Sequence, residues 1–244
     1  KISKISFVAA MNHPKGGKND IPNRLKRHFF IFNMVLPNEQ SVNDIYGKIT
    51  QAFFTKKAFG EVISQQAQKL PKLTSDLLKR MASKFQPTPV KFHYYYNMRE
   101  LSRTFQGIFK GDKECLVNSE KKYQIAPDVF LLCLWKHEVT RVFCDKLRDT
   151  EDKKEFSNIV DIVLGENYEK EITDQLKTDY YFADYLRPVV QNEEVGCLEY
   201  PKNYENVVTL DRAREATTNF MNELNEKKDR KHVEIVLFDD CLKD

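Results

Sequence analysis

The sequence contains few of the residues that interrupt regular structure. Among its 244 residues are eight glycines and nine prolines, too few for a low-complexity chain or for a protein rich in strands and tight turns. No apolar run reaches the roughly 18 residues that a membrane-spanning helix needs. The opening Lys1–Phe7 segment has basic residues but no long apolar region behind it, so it is not a signal peptide. We therefore expect a folded protein without a membrane segment.

An excess of charge of one sign is also missing. The chain has 39 basic and 36 acidic residues and a formal net charge of +3 at pH 7. With 41% hydrophobic and 31% charged residues, it has material for a real core beneath a heavily charged surface. The near balance gives no electrostatic reason for binding nucleic acid or a membrane, so we expect neither as a partner.

The cysteines show no pairing pattern, and the sequence lacks an initiator methionine. The five cysteines are odd in number and form no CxxC pair. We expect buried free thiols for Cys133 and Cys144, which fall in one apolar helical stretch, and a reducing compartment. Because the chain starts without methionine on the apolar run Ile5–Ala10, we interpret it as a segment of a longer polypeptide.

The hydrophobic pattern changes from strand-like to helical near residue 38. Residues 5–10 and 29–32 are runs of β-formers that predict two strands, with a loop and a basic helical segment between them. Later residues show helical spacing instead. Helices are predicted from Ser41, over 73–85, from a capping box at Asn97 and Glu100, over 127–148, near 156–164 and over 207–224, with 180–200 irregular. The sequence predicts a mostly α fold with a small α/β part and a boundary near 149–155.

Three fragments resemble catalytic motifs, but each lacks something essential. His137-Glu138 begins like a zinc-protease motif, yet Arg141 stands where the second histidine ligand is required. The Gly16-Gly17-Lys18 sequence is not a phosphate-binding loop, because Asn12 stands where the first glycine is needed. The run 235–240 resembles a magnesium-binding strand with its acid, but a helix start is the better interpretation. We expect no metal ligand and no complete active site.

Four polar residues remain as candidates for nucleotide chemistry. Asn12 ends an apolar run, where an amide can orient water beside a triphosphate, although taken by itself a turn-forming asparagine before His-Pro is the more common role. Arg24 and Arg27 precede the second strand; at a subunit boundary a guanidinium can reach a neighbour's phosphate, but it can also be a solvated surface charge. Arg99 lies in the first turn of a capped helix, an electrostatically poor place for a cation unless an anion binds there.

The segments that carry these residues resemble the dynein heavy chain, in the third AAA+ module of its motor ring. The resemblance covers nearly the whole chain in order and is most specific over 7–29 and 92–107. It includes Met11-Asn12-His13-Pro14, Asn97-Met98-Arg99-Glu100-Leu101 and Leu134-Trp135-Lys136-His137-Glu138, with 181–186 and 236–240 resembling the approach to the fourth module. The Asn-His-Pro form is more similar to ciliary than to cytoplasmic dyneins. Lys15 and Lys18 depart from many relatives, which carry Gly and Arg there.

The resemblance implies three domain pieces and a role for each candidate. Residues 1–37 would end an AAA+ α/β large subdomain, 38–150 would form the helical lid, and 151–244 would connect to the next module. Asn12 would be sensor I and Arg99 sensor II, both binding this module's nucleotide. Arg27, or Arg24 as second candidate, would be an arginine finger toward the neighbouring module. ATP or ADP is the implied cofactor, with the phosphate-binding loop and the magnesium ligands outside this chain.

The resemblance also implies a function and partners. The chain would be a regulatory part of an ATP-driven, microtubule-based motor, active as an ATPase only within the intact heavy chain. Its partners would be neighbouring AAA+ modules, the microtubule through the intact motor, and other dynein chains. The axoneme of a cilium is the implied location, with the cytoplasm as alternative. Two other functions stay open: a non-catalytic helical scaffold, and a segment of a different AAA+ ring ATPase.

Overall fold

The computed structural model describes residues 4–11, 19–35, 37–188, 190–191, 198–199, 201–226 and 232–243. Contacts divide the chain into two compact units, Lys1–Pro37 and Asn38–Asp244.

The first unit contains one short helix and extended segments. Helix α1 spans Asn23–Lys26. The strands predicted over 5–10 and 29–32 are not hydrogen-bonded into a ladder within the described residues. Phe7 is 80% exposed and Phe30 is 83% exposed. A strand needs a neighbouring strand to pair its backbone groups, and the described part of this chain supplies none for these runs. The prediction of these two strands is therefore not met here.

The second unit is helical, which confirms the mostly α fold. Its helices in the described residues are α2 (Glu39–Lys56), α3 (Glu61–Ala67), α4 (Leu70–Lys84), α5 (Met98–Ile108), α6 (Lys113–Val117), α7 (Ser119–Tyr123), α8 (Pro127–Val139), α9 (Thr150–Asn167), α10 (Lys170–Gln175), α11 (Leu210–Asn225) and α12 (Asp239–Lys243). In the part of the chain that the structure describes, no helix combines the length and the apolar character needed to cross a bilayer.

Two short antiparallel pairs involve the stretch 180–200, which the sequence analysis leaves irregular, and one of them extends to residues 205–206. Strand β1 (Phe182–Ala183) pairs with β4 (Glu205–Asn206), and β2 (Val190–Gln191) pairs with β3 (Leu198–Glu199). Each strand has only two residues, too short for the alternating pattern that identifies a strand in a sequence.

Helix α8 lies at the centre of the core. It packs against α3 and α5, while α4 packs against α2 and α9. Trp135 on α8 is fully buried, and its indole Nε1 donates a hydrogen bond to Thr74 Oγ1 on α4 at 2.9 Å. Since nearly every side chain of α8 is buried, this helix is covered by the protein on all sides rather than on one face.

The helix predicted from Pro127 to residue 148 changes character partway. The α-helical part ends at Val139, and Thr140–Cys144 is a π-helical segment. Asp145 N donates to Thr140 O at 3.2 Å, an i to i+5 bond. A π-helical turn inserts one extra residue into the helix and so rotates the side chains that follow it. No residue pattern in the sequence signals this insertion.

The start of α5 agrees with the prediction, and the start of α2 differs from it. The capping box of α5 is confirmed, with Asn97 and Glu100 in reciprocal bonds. Helix α2 is capped by Asn38 rather than by Ser41, whose backbone N donates to Asn38 Oδ1 at 2.8 Å. Phe156 and other residues of α9 belong to the same core cluster as α4 and α8. The core therefore continues across the boundary expected near residue 150, and the assignment of 38–150 and 151–244 to separate AAA+ pieces stays a prediction.

Candidate functional site

The N-terminal turn of α5 is fixed by three short bonds. Arg99 N donates to Asn97 Oδ1 at 2.8 Å, and Asn97 N donates to Glu100 Oε2 at 2.8 Å. Glu100 N donates to Asn97 O at 3.2 Å. Together these bonds satisfy backbone donors that a helix otherwise leaves unpaired at its start. The direction in which α5 presents its first side chains is thus well defined.

Two consecutive residues of this turn face opposite ways. Glu100 is only 8% exposed and points into the protein, whereas Arg99 is exposed. Within the described residues, the Arg99 guanidinium forms no hydrogen bond or ion pair. The positive end of the helix dipole also lies at this turn and disfavours a cation. A bound anion would relieve both conditions, and a guanidinium suits a phosphate because it can donate two parallel hydrogen bonds.

The second pair of candidates lies on and beside α1, in the other unit. Arg24 and Arg27 are both exposed. The Nε atom of Arg27 donates to His28 Nε2 at 3.3 Å, while Lys26 pairs with Asp20 at 2.7 Å. In the described part of the chain, the Arg24 side chain has no hydrogen-bond or ion-pair partner. Asn12 lies outside the described residues.

The false zinc motif on α8 is part of the core. His137 is 7% exposed and Glu138 is 6% exposed. Burial lowers the pKa of His137 to about 4, and the charge of Arg141 acts in the same direction. Burial raises the pKa of Glu138, and the hydroxyl of Tyr204 donates a hydrogen bond to its carboxylate. These contacts indicate a structural role for both residues.

The described residues offer no alternative site of obvious chemistry. They contain no group of three His, Cys, Asp or Glu side chains that could hold a metal ion. A surface groove of about 520 Å³ is lined by residues that include Tyr185, Arg212 and Phe220. A second groove of about 360 Å³ is lined by residues that include Tyr123 and Tyr181. Neither groove contains Arg24, Arg27 or Arg99.

The cysteines also carry no site in the part that the structure describes. Cys115 and Cys133 are buried, Cys144 is half-buried and Cys241 is exposed, and none of the four forms a disulfide. Burial raises the pKa of Cys133 to about 12, which keeps this thiol protonated and unreactive at neutral pH. Cys197 lies outside the described residues.

Lys146 contacts the α5 turn, and sequence reasoning did not identify it. Lys146 Nζ donates to Glu100 Oε1 at 3.1 Å across a separation of 46 residues. The residues next to Lys146 in the sequence do not indicate that its partner is Glu100. The only sequence signal was indirect: an acid at the third helical position of a capping box is expected to be ordered.

Comparison with known proteins gives a consistent family. A family model for the AAA+ lid domain matches residues 71–179, and one for the P-loop containing dynein motor region matches residues 1–37. Over 99% of its length the chain is 38% identical to the dynein gamma chain of the flagellar outer arm of Chlamydomonas reinhardtii. Over the same share it is 36% identical to dynein axonemal heavy chain 5 and 33% identical to dynein axonemal heavy chain 8, both of Mus musculus. The chain spans 5% to 6% of the length of these relatives.

Proposed function

The chain belongs to the dynein heavy chain family, and from this premise we propose that it forms part of a regulatory nucleotide site in an ATP-driven, microtubule-based motor. Residues of the lid would close on the nucleotide of one AAA+ module, which the sequence resemblance identifies as the third. The intact heavy chain would be the ATPase, and this segment would couple nucleotide state to the neighbouring modules rather than supply the main hydrolysis step.

The exposed, unpaired Arg99 on the fixed turn of α5 is the observation that supports this proposal. It lies within the residues that match the AAA+ lid family. As sensor II, its guanidinium would donate to the phosphates of ATP or ADP and hold the helical lid against them. The residue fits such a ligand, because the capping box fixes the backbone from which its side chain projects and its charge is not neutralised by the described protein.

The other candidates lie in the first unit, and we propose a role for each. Asn12 would act as sensor I and orient water near the terminal phosphate. Arg27, with Arg24 as second candidate, would act as an arginine finger that stabilises developing charge at the neighbouring module. Residues outside this chain would hold magnesium.

The proposed partners follow from the family. They are the neighbouring AAA+ modules of the same heavy chain, the microtubule through the intact motor, and other dynein chains. The relatives named above are described as flagellar or axonemal, so we place the protein in the axoneme of a cilium. No observation on the described residues favours nucleic acid or a membrane as a partner.

The test is Arg99→Ala in an intact heavy-chain motor. The ADP concentration that half-fills this module would be read from electron cryomicroscopy maps at graded ADP. The variant should need at least about tenfold more ADP to half-fill the module, because a charge-assisted hydrogen bond is lost. The rate of microtubule release should change with it, because lid closure and neighbour geometry are coupled.

Arg80→Ala is the matched control. Arg80 is also an arginine on a helix of the second unit, with a side chain that is 39% exposed, but it pairs with Glu166 on α9. Its loss should leave ADP occupancy and microtubule release unchanged. If Arg99→Ala alters neither quantity, the sensor role is wrong and the helical-scaffold interpretation replaces it.

A further inference from the structure

Lys146 contacts three groups that flank the start of α5. Its ammonium Nζ donates to Tyr95 O at 2.7 Å and to Glu100 Oε1 at 3.1 Å. The same atom lies 3.9 Å from the centroid of the Tyr96 ring, within cation–π range. The Lys146 side chain is 22% exposed and that of Glu100 is 11% exposed. This is a partly buried cation held by a carbonyl, a carboxylate and an aromatic face.

The charges around Lys146 make Glu100 its essential partner. Burial lowers the pKa of Lys146, the hydrogen bond and charge of Glu100 raise it, and the nearby charge of Arg103 lowers it. A desolvated ammonium next to another cation is stable only when an anion compensates it. Glu100 therefore has two tasks, since one of its oxygens caps α5 and the other binds Lys146.

The contact joins α5 to the π-helical end of α8. Lys146 follows the Thr140–Cys144 segment by two residues. Phe143 in that segment stacks on Tyr96 with ring centroids 5.7 Å apart, and Tyr96 Oη donates to Phe143 O at 3.1 Å. His93 Nε2 lies 3.0 Å from Lys146 O. Several independent contacts thus connect the residues before Arg99 to the end of the central helix.

The lysine–carboxylate pairs of the second unit differ in exposure. The Lys84–Glu155 pair joins α4 to α9 at 2.8 Å, and its side chains are 57% and 38% exposed. Pairs of that kind contribute little, because water screens them and the chains lose entropy. The Lys91–Asp152 pair is partly buried, with side chains 27% and 19% exposed. The Lys146–Glu100 pair is likewise partly buried, and of these three pairs it is the one that includes the acid of the α5 capping box.

We propose that Lys146 is a positioning residue for Arg99, which fixes the first turn of α5 to the π-helical end of α8 through Glu100 and the Tyr95 carbonyl. This inference rests on the proposed role of Arg99 in nucleotide binding. Movement of α8 would reach Arg99 through Lys146, so the orientation of the lid arginine depends on the packing of the central helix. The coupled element is this small set of contacts between residues 95–100 and 143–146.

The test is a double-mutant cycle in the intact motor. Lys146→Met removes the charge and keeps an unbranched chain over Tyr96. It should raise the ADP concentration that half-fills this module by about fivefold to tenfold in the presence of Arg99. In an Arg99→Ala background the same substitution should change it by less than about twofold, because the affected group is already gone. Lys146→Arg, which keeps a donor and a cation, should restore binding in the otherwise native protein.

A second variant covers the case in which Lys146→Met does not fold. Glu100→Gln keeps an acceptor for Asn97 N and removes the charge that holds Lys146, so it should produce the same pattern in the cycle. Lys84→Met is the control and should leave ADP binding unchanged. Thermal unfolding of each variant is recorded alongside binding.

The outcomes separate the two proposals. If Arg99→Ala itself has no effect on ADP binding, the proposed function fails. If Arg99→Ala weakens binding but Lys146→Met and Glu100→Gln do not, the positioning role is wrong. Equal effects of Lys146→Met with and without Arg99 would also overturn it, since they would indicate a general loss of lid structure.

Discussion

Gly107 on α5 should tolerate no side chain, although it lies in a helix. A Cβ atom built at this position would be 1.7 Å from Glu138 Oε2 and 2.1 Å from Glu138 Cδ. The carboxylate of Glu138 cannot easily move away, because it is buried in the core and accepts a hydrogen bond from Tyr204. Gly107→Ala therefore forces either a displacement of Glu138 or a separation of α5 from α8.

The size of the effect follows from three contributions. Overpacking a filled core site costs about 1–3 kcal/mol. Breaking the Tyr204 hydrogen bond to a buried acid costs about 1–3 kcal/mol more. Alanine is better than glycine inside a helix by at most about 1 kcal/mol, which offsets part of the loss. We expect Gly107→Ala to lower the free energy of unfolding by about 2–4 kcal/mol.

Urea unfolding followed by tryptophan fluorescence would measure this loss. Trp135 is the only tryptophan and is fully buried beside the affected helices, so its emission reports on this core. Gly165→Ala is the matched control, since Gly165 lies near the end of α9 with no atom within 4 Å of the added Cβ. The control should leave stability unchanged or raise it by up to about 1 kcal/mol. A Gly107→Ala protein as stable as the wild type would refute the close packing of α5 on Glu138.

Two further predictions concern the same core. Thr74→Val should lower the free energy of unfolding by about 1–3 kcal/mol, because it leaves the Trp135 indole N–H buried without its acceptor. Thr74→Ser keeps the hydroxyl and should lose less; equal losses in urea unfolding would argue against the hydrogen bond. The pKa of His137 is about 4 in the folded protein and about 6.5 in the unfolded chain. The stability that the neutral imidazole contributes is therefore present above pH 6.5 and is lost as the pH falls toward 4. The loss in free energy of unfolding should reach up to about 3 kcal/mol. Urea unfolding at a series of pH values should show this loss in the native protein and a smaller loss in His137→Gln. Identical pH profiles for the two proteins would contradict the burial of a neutral imidazole. Glu138 is present in both proteins, so its titration does not alter the difference between them.

Local signals in the sequence predict the lid turn well. The Asn97 and Glu100 pair at the spacing of a capping box correctly gives the start of α5. The spacing of apolar residues over 73–85 gives α4, which spans Leu70–Lys84. In these cases the stabilising contacts are between residues three or four apart, so the sequence contains both partners within one short window.

Features that depend on distant partners were not predictable in this way. The pairing of β1 with β4 joins Phe182 to Asn206, and the bond from Lys146 to Glu100 joins residues 46 apart. The π-helical segment within the predicted helix 127–148 has no sequence signal either, because Thr140–Cys144 contains no proline or glycine. The runs 5–10 and 29–32 have the composition of strands, but composition does not supply a pairing partner.

Two adjacent residues in the first turn of α5 differ in what they contribute to folding. Glu100 is an acid at the positive end of the helix dipole, and it also binds Lys146 and caps the backbone, so all of its interactions favour folding. Arg99 has the opposite sign at the same end of the dipole and gains no partner from the described protein. Folding alone would favour a neutral or acidic residue at position 99. The inward acid thus fixes a turn whose outward cation has no partner in the described protein, and the phosphate of the proposed nucleotide would supply one. The capping box and the bond to Lys146 stabilise this turn, and Arg99 does not.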